Sequence, residues 1–294
     1  MTISAFRVLA LLGDFVGLLN FPAATVVIDS DANKGCKYFF SRSHMMLRLI
    51  PLLLFAFTLN LPAQTVERFI ALGDSAQARL DPDAALRAYR QAVRLDPNNA
   101  EALWRLSKVV VGMAAVETDE QRSRVLAERA LNYAKRSAAS DPANAMAQVA
   151  LAISNGQLAI LAPATEKLEL SKKIKDHAFR AMQLDPSNHV AMMVLGIWNR
   201  EVAALSWVIK LTMKVVYGGV PEASMEESKR LLAKAVSIQP DEIMSRLELA
   251  KTLIELDEES VAIAHLRRVL TLPQRHVGDS VRLDEARKLL RELT

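Results

Sequence analysis

Arg200 and Glu201 stand side by side within LGIWNREVAALSW (195–207), an otherwise apolar run that also carries Trp198 and Trp207. Such a charged pair can hold a partner's carboxylate through the arginine, or it can close on itself or on a neighbouring helix and stiffen the fold. Catalysis would need a nucleophile, a base and oxyanion donors brought together. The chain has no GxSxG, no Gly-rich phosphate loop and no HExxH. His177 and His189 lie about three helical turns apart, a spacing more typical of satisfied or exposed histidines than of ligands. The single cysteine, Cys36, excludes an intrachain disulfide framework and a cysteine-based zinc site, and no apolar run precedes it to mark lipidation. No catalytic residue, metal ligand or cofactor is expected.

The elements that position these residues are helical by composition. The chain is 51% hydrophobic but only 5% aromatic, with 10 glycines in 294 residues, while Ala and Leu recur throughout. That mixture favours helix over sheet. The net charge of +4 comes from 37 basic and 33 acidic residues scattered without a basic run, which reads as solvated helix faces and excludes nucleic acid as a partner.

Four segments, RLDPNN, ASDPAN, QLDPSN and SIQPDE, each stop a helix at a proline and supply polar residues to cap the next. Pro97, Pro142, Pro186 and Pro240 are 45, 44 and 54 residues apart, a period that means helical hairpins. From Val66 to Asn99, the residues Phe69, Leu72, Gly73, Ala76, Ala85, Tyr89, Ala92 and Pro97 resemble the 34-residue tetratricopeptide pattern. Small residues let its two helices approach, and Phe69, Leu72 and Tyr89 fill between them. The next two units fit the frame with an insertion of about 11 residues, close to three helical turns, which lengthens the hairpin and keeps its buried faces in register. Thr118-Asp-Glu-Gln121 is a capping box for the second helix of the second unit.

The fourth unit carries roughly 20 extra residues, and the periodicity predicts one long helix through VAALSWVIKLTMKVVY to Gly218-Gly219-Val-Pro221. Ser224-Met-Glu-Glu227 then caps its partner helix. Lys210 and Lys214, one turn apart, argue against a bilayer span and leave peripheral membrane contact open. The fifth unit returns to normal length with Leu249, Ala250, Leu253, Ala262, Leu266 and Pro273, and a helix from about Ser280 to Leu293 covers the open end. The expected fold is an all-α, tetratricopeptide-like α-solenoid of about five hairpins, the middle ones elongated, plus a C-terminal capping helix.

MMLRLIPLLLFAFTLNLPAQ, from Met45, has the layout of a cleavable signal peptide: Arg48, an apolar stretch over 49–59, then a break at Asn60-Leu-Pro62. The apolar stretch is too short to span a bilayer. Cleavage is expected after Ala63 or Gln64. Residues 1–44 then form an upstream extension, disordered or not translated, residues 45–64 the signal, and residues 65–294 the repeat domain. Removing residues 1–64 takes away five of 37 basic and three of 33 acidic residues, leaving 32 against 30.

From Leu195 onward the likeness narrows. LGIWNREVAALSW, YGGVPEASMEESKRLLAKAVSIQP, LELAKTLIELDEESVAIAHLRRVLTLP and EARKLLREL resemble the regulator of microtubule dynamics family and exported bacterial proteins built on the same repeats. The resemblance implies an adaptor without enzymatic activity. Animal members are associated with microtubules and organelle membranes, so a cytosolic microtubule-associated regulator stands as the alternative to an exported scaffold, periplasmic or secreted if bacterial. Tetratricopeptide arrays bind a protein or peptide in a concave groove lined by their first helices. The corresponding positions here include Glu67, Asp74, Trp104, Lys108, Val149, Met193, Arg200 and Lys251. Lys108, Arg200 and Lys251 are expected to hold carboxylates, and Trp104 and Met193 to supply apolar contact.

Overall fold

The computed structural model describes residues 61–206 and 222–294, which belong to one compact unit, and every element among them is an α-helix. The hairpins are α1 (Leu61–Ala78) with α2 (Pro82–Leu95), α3 (Ala100–Val116) with α4 (Glu120–Ser140), and α5 (Ala145–Leu161) with α6 (Ala164–Leu184). They are followed by α7 (His189–Ala203) with α8 (Met225–Ile238), α9 (Ile243–Glu255) with α10 (Glu259–Val269), and the terminal α11 (Asp279–Glu292). Ala63 and Gln64 fall in the first turn of α1. The apolar stretch over 49–59, Trp207, Lys210 and Lys214 lie outside the described residues. Among those described, no helix is long and apolar enough to cross a membrane.

The turns between repeats follow from their sequences. In each Asp-Pro-x-Asn turn the aspartate ends one helix and the asparagine begins the next: Asp96 and Asn99, Asp141 and Asn144, Asp185 and Asn188. Each asparagine side chain accepts a backbone N–H of the new first turn, as Asn99 does from Ala102 at 2.9 Å. An orphan donor is thereby satisfied at each helix start. Inside the shortest hairpins the chain turns differently. Leu80 (φ 59°) and Asp257 (φ 57°) are left-handed, and the N–H groups that follow reach back to Ala76 and Leu253 in Schellman geometry.

Small residues set the helix spacing as expected. Tyr89 is fully buried against Gly73, where a Cβ would overlap the phenol ring, and a Cβ at Gly196 would stand 2.6 Å from Leu232 Cγ. Leu72, expected to fill the first hairpin, is instead 49% exposed. Its counterpart Leu106 is buried and lines a cleft with Val93 of the preceding hairpin; no hairpin precedes Leu72 among the described residues.

Two further expectations are corrected. The second helix of the second hairpin is capped one residue later than predicted: Asp119 accepts from Arg122 N–H at 2.8 Å, and Asp119 N–H is itself held by Glu117. An aspartate there also places negative charge at the helix N-terminus. The helix expected to run on through the fourth unit breaks after Ala203, where Leu205 N–H donates to Val202 C=O, and its expected course over 207–221 lies outside the described residues. Its partner α8 has 14 residues, matched to the 15 of α7. The second cap holds as expected, with Ser224 accepting from Glu227 N–H, and the Glu227 carboxylate turns to Arg230.

Neighbouring first helices touch: α3 meets α5, α5 meets α7, α7 meets α9 and α9 meets α11. The second helices flank them from outside. First helices therefore line the inner face of the curve, and α11 closes the last hairpin with Leu283 and Ala286 buried in the same core as Leu249 and Leu266.

Candidate functional site

The inner face holds a cavity of about 220 Å³ lined by Asp74, Gln77 and Ala78 of α1, Tyr89 of α2, Trp104, Arg105 and Lys108 of α3, and Arg275 and His276 from the turn before α11. Its α1 and α3 residues are one helical turn apart on each helix, so regular helix geometry presents them together. Tyr89 donates to Asp74 Oδ1 at 2.5 Å, and Arg105 Nε donates to the same oxygen at 3.0 Å. Burial and the Asp74 hydrogen bond push the phenol pKa up, which keeps Tyr89 a donor. The Arg105 guanidinium also binds Glu101 and stacks 4.2 Å from the Trp104 ring centroid.

Lys108 differs from these residues. It is exposed along the inner face yet surrounded by protein, and that burial pushes its ammonium pKa down. Among the described residues no carboxylate pairs with it, and Asp74 and Glu242 act on it only through space. Glu242 faces the site from the start of α9, with its Oε2 3.2 Å from His276 Nε2. Burial works to raise the Glu242 carboxyl, but the hydrogen bond and charge of His276 outweigh it and hold its pKa down. His189, at the start of α7, feels Glu242, Lys108 and His276, with burial the leading cause of its lowered pKa.

The other candidates sit elsewhere on the inner helices. Arg200 is 5% exposed, donating to Glu248 Oε2 at 2.5 Å, to Glu248 C=O at 3.0 Å and to Glu201 Oε1 at 3.0 Å. Burial opposes its charge, the two glutamates outweigh that, and its pKa rises. Lys251 bridges Glu248 at 3.2 Å and Glu285 of α11 at 3.0 Å. Met193 and Val149 are buried in the core, and Glu67 is exposed. Trp198 is core, as expected, with its indole N–H donating to Ser171 of α6. Asn199 beside it accepts the Ser224 N–H, which ties α7 to the start of α8.

Of the residues read from the sequence, the structure brings Asp74, Trp104 and Lys108 together. Arg200 and Lys251 belong instead to an ion network joining α7, α9 and α11. Glu242, Arg275 and His276 were missed. A signal for Glu242 was present: the Asp-Pro-x-Asn turn becomes Gln239-Pro-Asp-Glu242 in the fourth repeat, and this cap makes no side-chain bond to its helix. Arg275 and His276 lie in a turn, outside any helical period. Among the described residues, no group of three or more potential ligands could hold a metal ion.

Residues 68–294 match the family described as regulator of microtubule dynamics protein 1-3. The chain is 24% identical over 192 residues to regulator of microtubule dynamics protein 1 of Caenorhabditis elegans, covering 65% of this chain and 84% of the nematode protein. It is 27% identical over 197 residues to the Mus musculus protein of the same name, covering 66% of this chain and 65% of the mouse protein. Its fold is similar to that of a thermophilic tetratricopeptide-repeat protein of Thermus thermophilus, with a TM-score of 0.55 at 17% identity over 76% of this chain and 99% of that one. With the match running through every hairpin from α1 to α11, this chain belongs to the regulator of microtubule dynamics protein 1-3 family.

Proposed function

We propose that the chain is a non-catalytic, exported scaffold that takes an extended segment or helix of a protein partner against its inner face. The observation that carries this reading is Lys108, a cation without an ionic partner among the described residues, set beside the Trp104 ring on a cavity wall. Lys108 supplies charge for a partner's carboxylate and Trp104 supplies apolar area, the pairing that makes an anchor in a groove. Lys251 joins by exchanging Glu285 for a partner's carboxylate, while Met193 and Arg200 shape the far end. In this reading residues 45–64 are removed after Ala63 or Gln64, residues 1–44 are an upstream extension, and residues 65–294 do the binding. A photo-crosslinking residue at position 108 in the native cell should capture a protein adduct, and one at Lys172 on α6 should not. Equal yields at the two positions would remove the inner face from this reading.

A second reading, a cytosolic microtubule-associated regulator, is favoured by family membership and by the names of the nematode and mouse relatives. The N-terminal sequence and cellular fraction of the natively expressed protein separate the two. A chain starting at Gln64 or Thr65 outside the cytoplasm supports export. An unprocessed cytosolic chain that cosediments with tubulin at physiological salt replaces it with the cytoskeletal role.

A further inference from the structure

The outer face carries a second cleft, of about 240 Å³, between the second helices of the first two hairpins. Arg90, Val93 and Arg94 of α2 form one wall, Tyr133 and Arg136 of α4 the other, and Leu106 of α3 the floor. Helix geometry explains the gathering: Arg90 and Arg94 are four residues apart on α2, and Tyr133 and Arg136 three apart on α4, so each pair shares a face.

Its charge is one-sided. No aspartate or glutamate lines the cleft. Arg136 donates from one guanidinium Nη to Pro97 C=O at 2.7 Å, which uses one part of its fork and leaves its other N–H groups without a carboxylate among the described residues. Arg90 and Arg94 make no hydrogen bond or ion pair among the described residues, whereas Arg105 and Arg200 on the inner face each hold two carboxylates. Like charges gathered in one cleft repel, and an oxyanion between them converts that repulsion into attraction. Guanidinium forks match a carboxylate two bonds at a time. The apolar floor of Val93 and Leu106 can take the methylene stem that carries the carboxylate, and the Tyr133 ring adds contact area.

We propose that this cleft binds the side-chain carboxylates of an acidic segment of a protein partner. Single-stranded nucleic acid fits less well, since it needs successive aromatic platforms and the cleft offers one ring. A membrane surface fits less well because the charges converge into a concavity between two helices. The cleft lies on the second helices and does not rest on the inner-face reading.

The test uses the purified full-length chain and a fluorescein-labelled hexaglutamate peptide at low ionic strength, followed by anisotropy. Saturable binding is expected, weakened about tenfold or more by Arg90→Gln with Arg94→Gln. A control pair on α11, Arg287→Gln with Arg291→Gln, should leave binding within about twofold. Circular dichroism checks that the variants keep their helices. Should the glutamine pair lose helicity, Arg90→Lys with Arg94→Lys keeps the charge, removes the fork and should still weaken binding about threefold. Absence of saturable binding, or equal weakening by the α11 pair, overturns the proposal. Tighter binding of a hexathymidine oligonucleotide, or of a phosphoserine peptide by about tenfold or more, overturns the carboxylate assignment and gives the cleft to nucleic acid or to phosphate. Loss of peptide binding in Lys108→Gln alone would move the acidic segment to the inner face.

Discussion

At the scale of single residues, the fold depends on two kinds of close contact. Gly73 lets Tyr89 lie directly on α1, so Gly73→Ala should destabilise the chain by about 1–3 kcal/mol through overpacking, read as a fall in thermal midpoint. The helix-propensity gain of alanine is smaller than that and does not rescue it. Arg200 raises the opposite problem, a charge held in the protein by its partners. Arg200→Met leaves the buried Glu248 with only Lys251 and should lose about 3 kcal/mol; adding Glu248→Leu should recover most of it. Recovery in the double variant marks the pair as structural, while equal instability in both would mean that Arg200 stabilises by packing alone. The Gly73 contact was legible in the sequence because it follows the repeat frame. The Glu248 partner was not: it lies 48 residues away, at a separation no helical period encodes.

At the scale of elements, the turns between repeats were readable as stops, and the structure adds a division of labour within them. Aspartate closes and asparagine opens, so each proline turn is also a pair of caps. The turns within the hairpins were harder to read, because a left-handed residue need not be glycine. Leu80 accepts that backbone conformation in a Schellman turn whose geometry suits glycine. Leu80→Gly should therefore raise stability by about 0.5–1 kcal/mol in chemical denaturation, the gain being reduced by glycine's greater freedom when unfolded. A loss instead would show that the Leu80 side chain contributes more than its backbone strain costs. The fourth hairpin was misread at this scale: apolar residues after Ala203 continue a helical period, but periodicity does not reveal where a partner helix stops.

At the scale of the whole molecule, three histidines set a pH limit. Burial lowers the pKa of His177, His189 and His265, with Gln148 beside His177 and Arg246 beside His265. The unfolded chain binds their protons more readily, so their contribution is complete above about pH 6.5 and is lost as pH falls below it. The thermal midpoint should drop between about pH 7.5 and pH 5.5 and drop less in a variant with all three replaced by glutamine. Equal slopes would place the titration elsewhere. Glu101 and Glu242, whose pKa values are held down, add a further loss in the carboxylate range. The inner cavity also belongs to this scale, because Asp74 and Lys108 come from the beginning of the array and Arg275 and His276 from its end. Most solenoids are open chains of neighbours, in which a pull on the termini straightens the curve and leaves each unit's surface as it was. Here a site that draws residues from both the beginning and the end of the array would change shape when either of those parts moved, so a partner held there would feel load placed on either end of the repeat array.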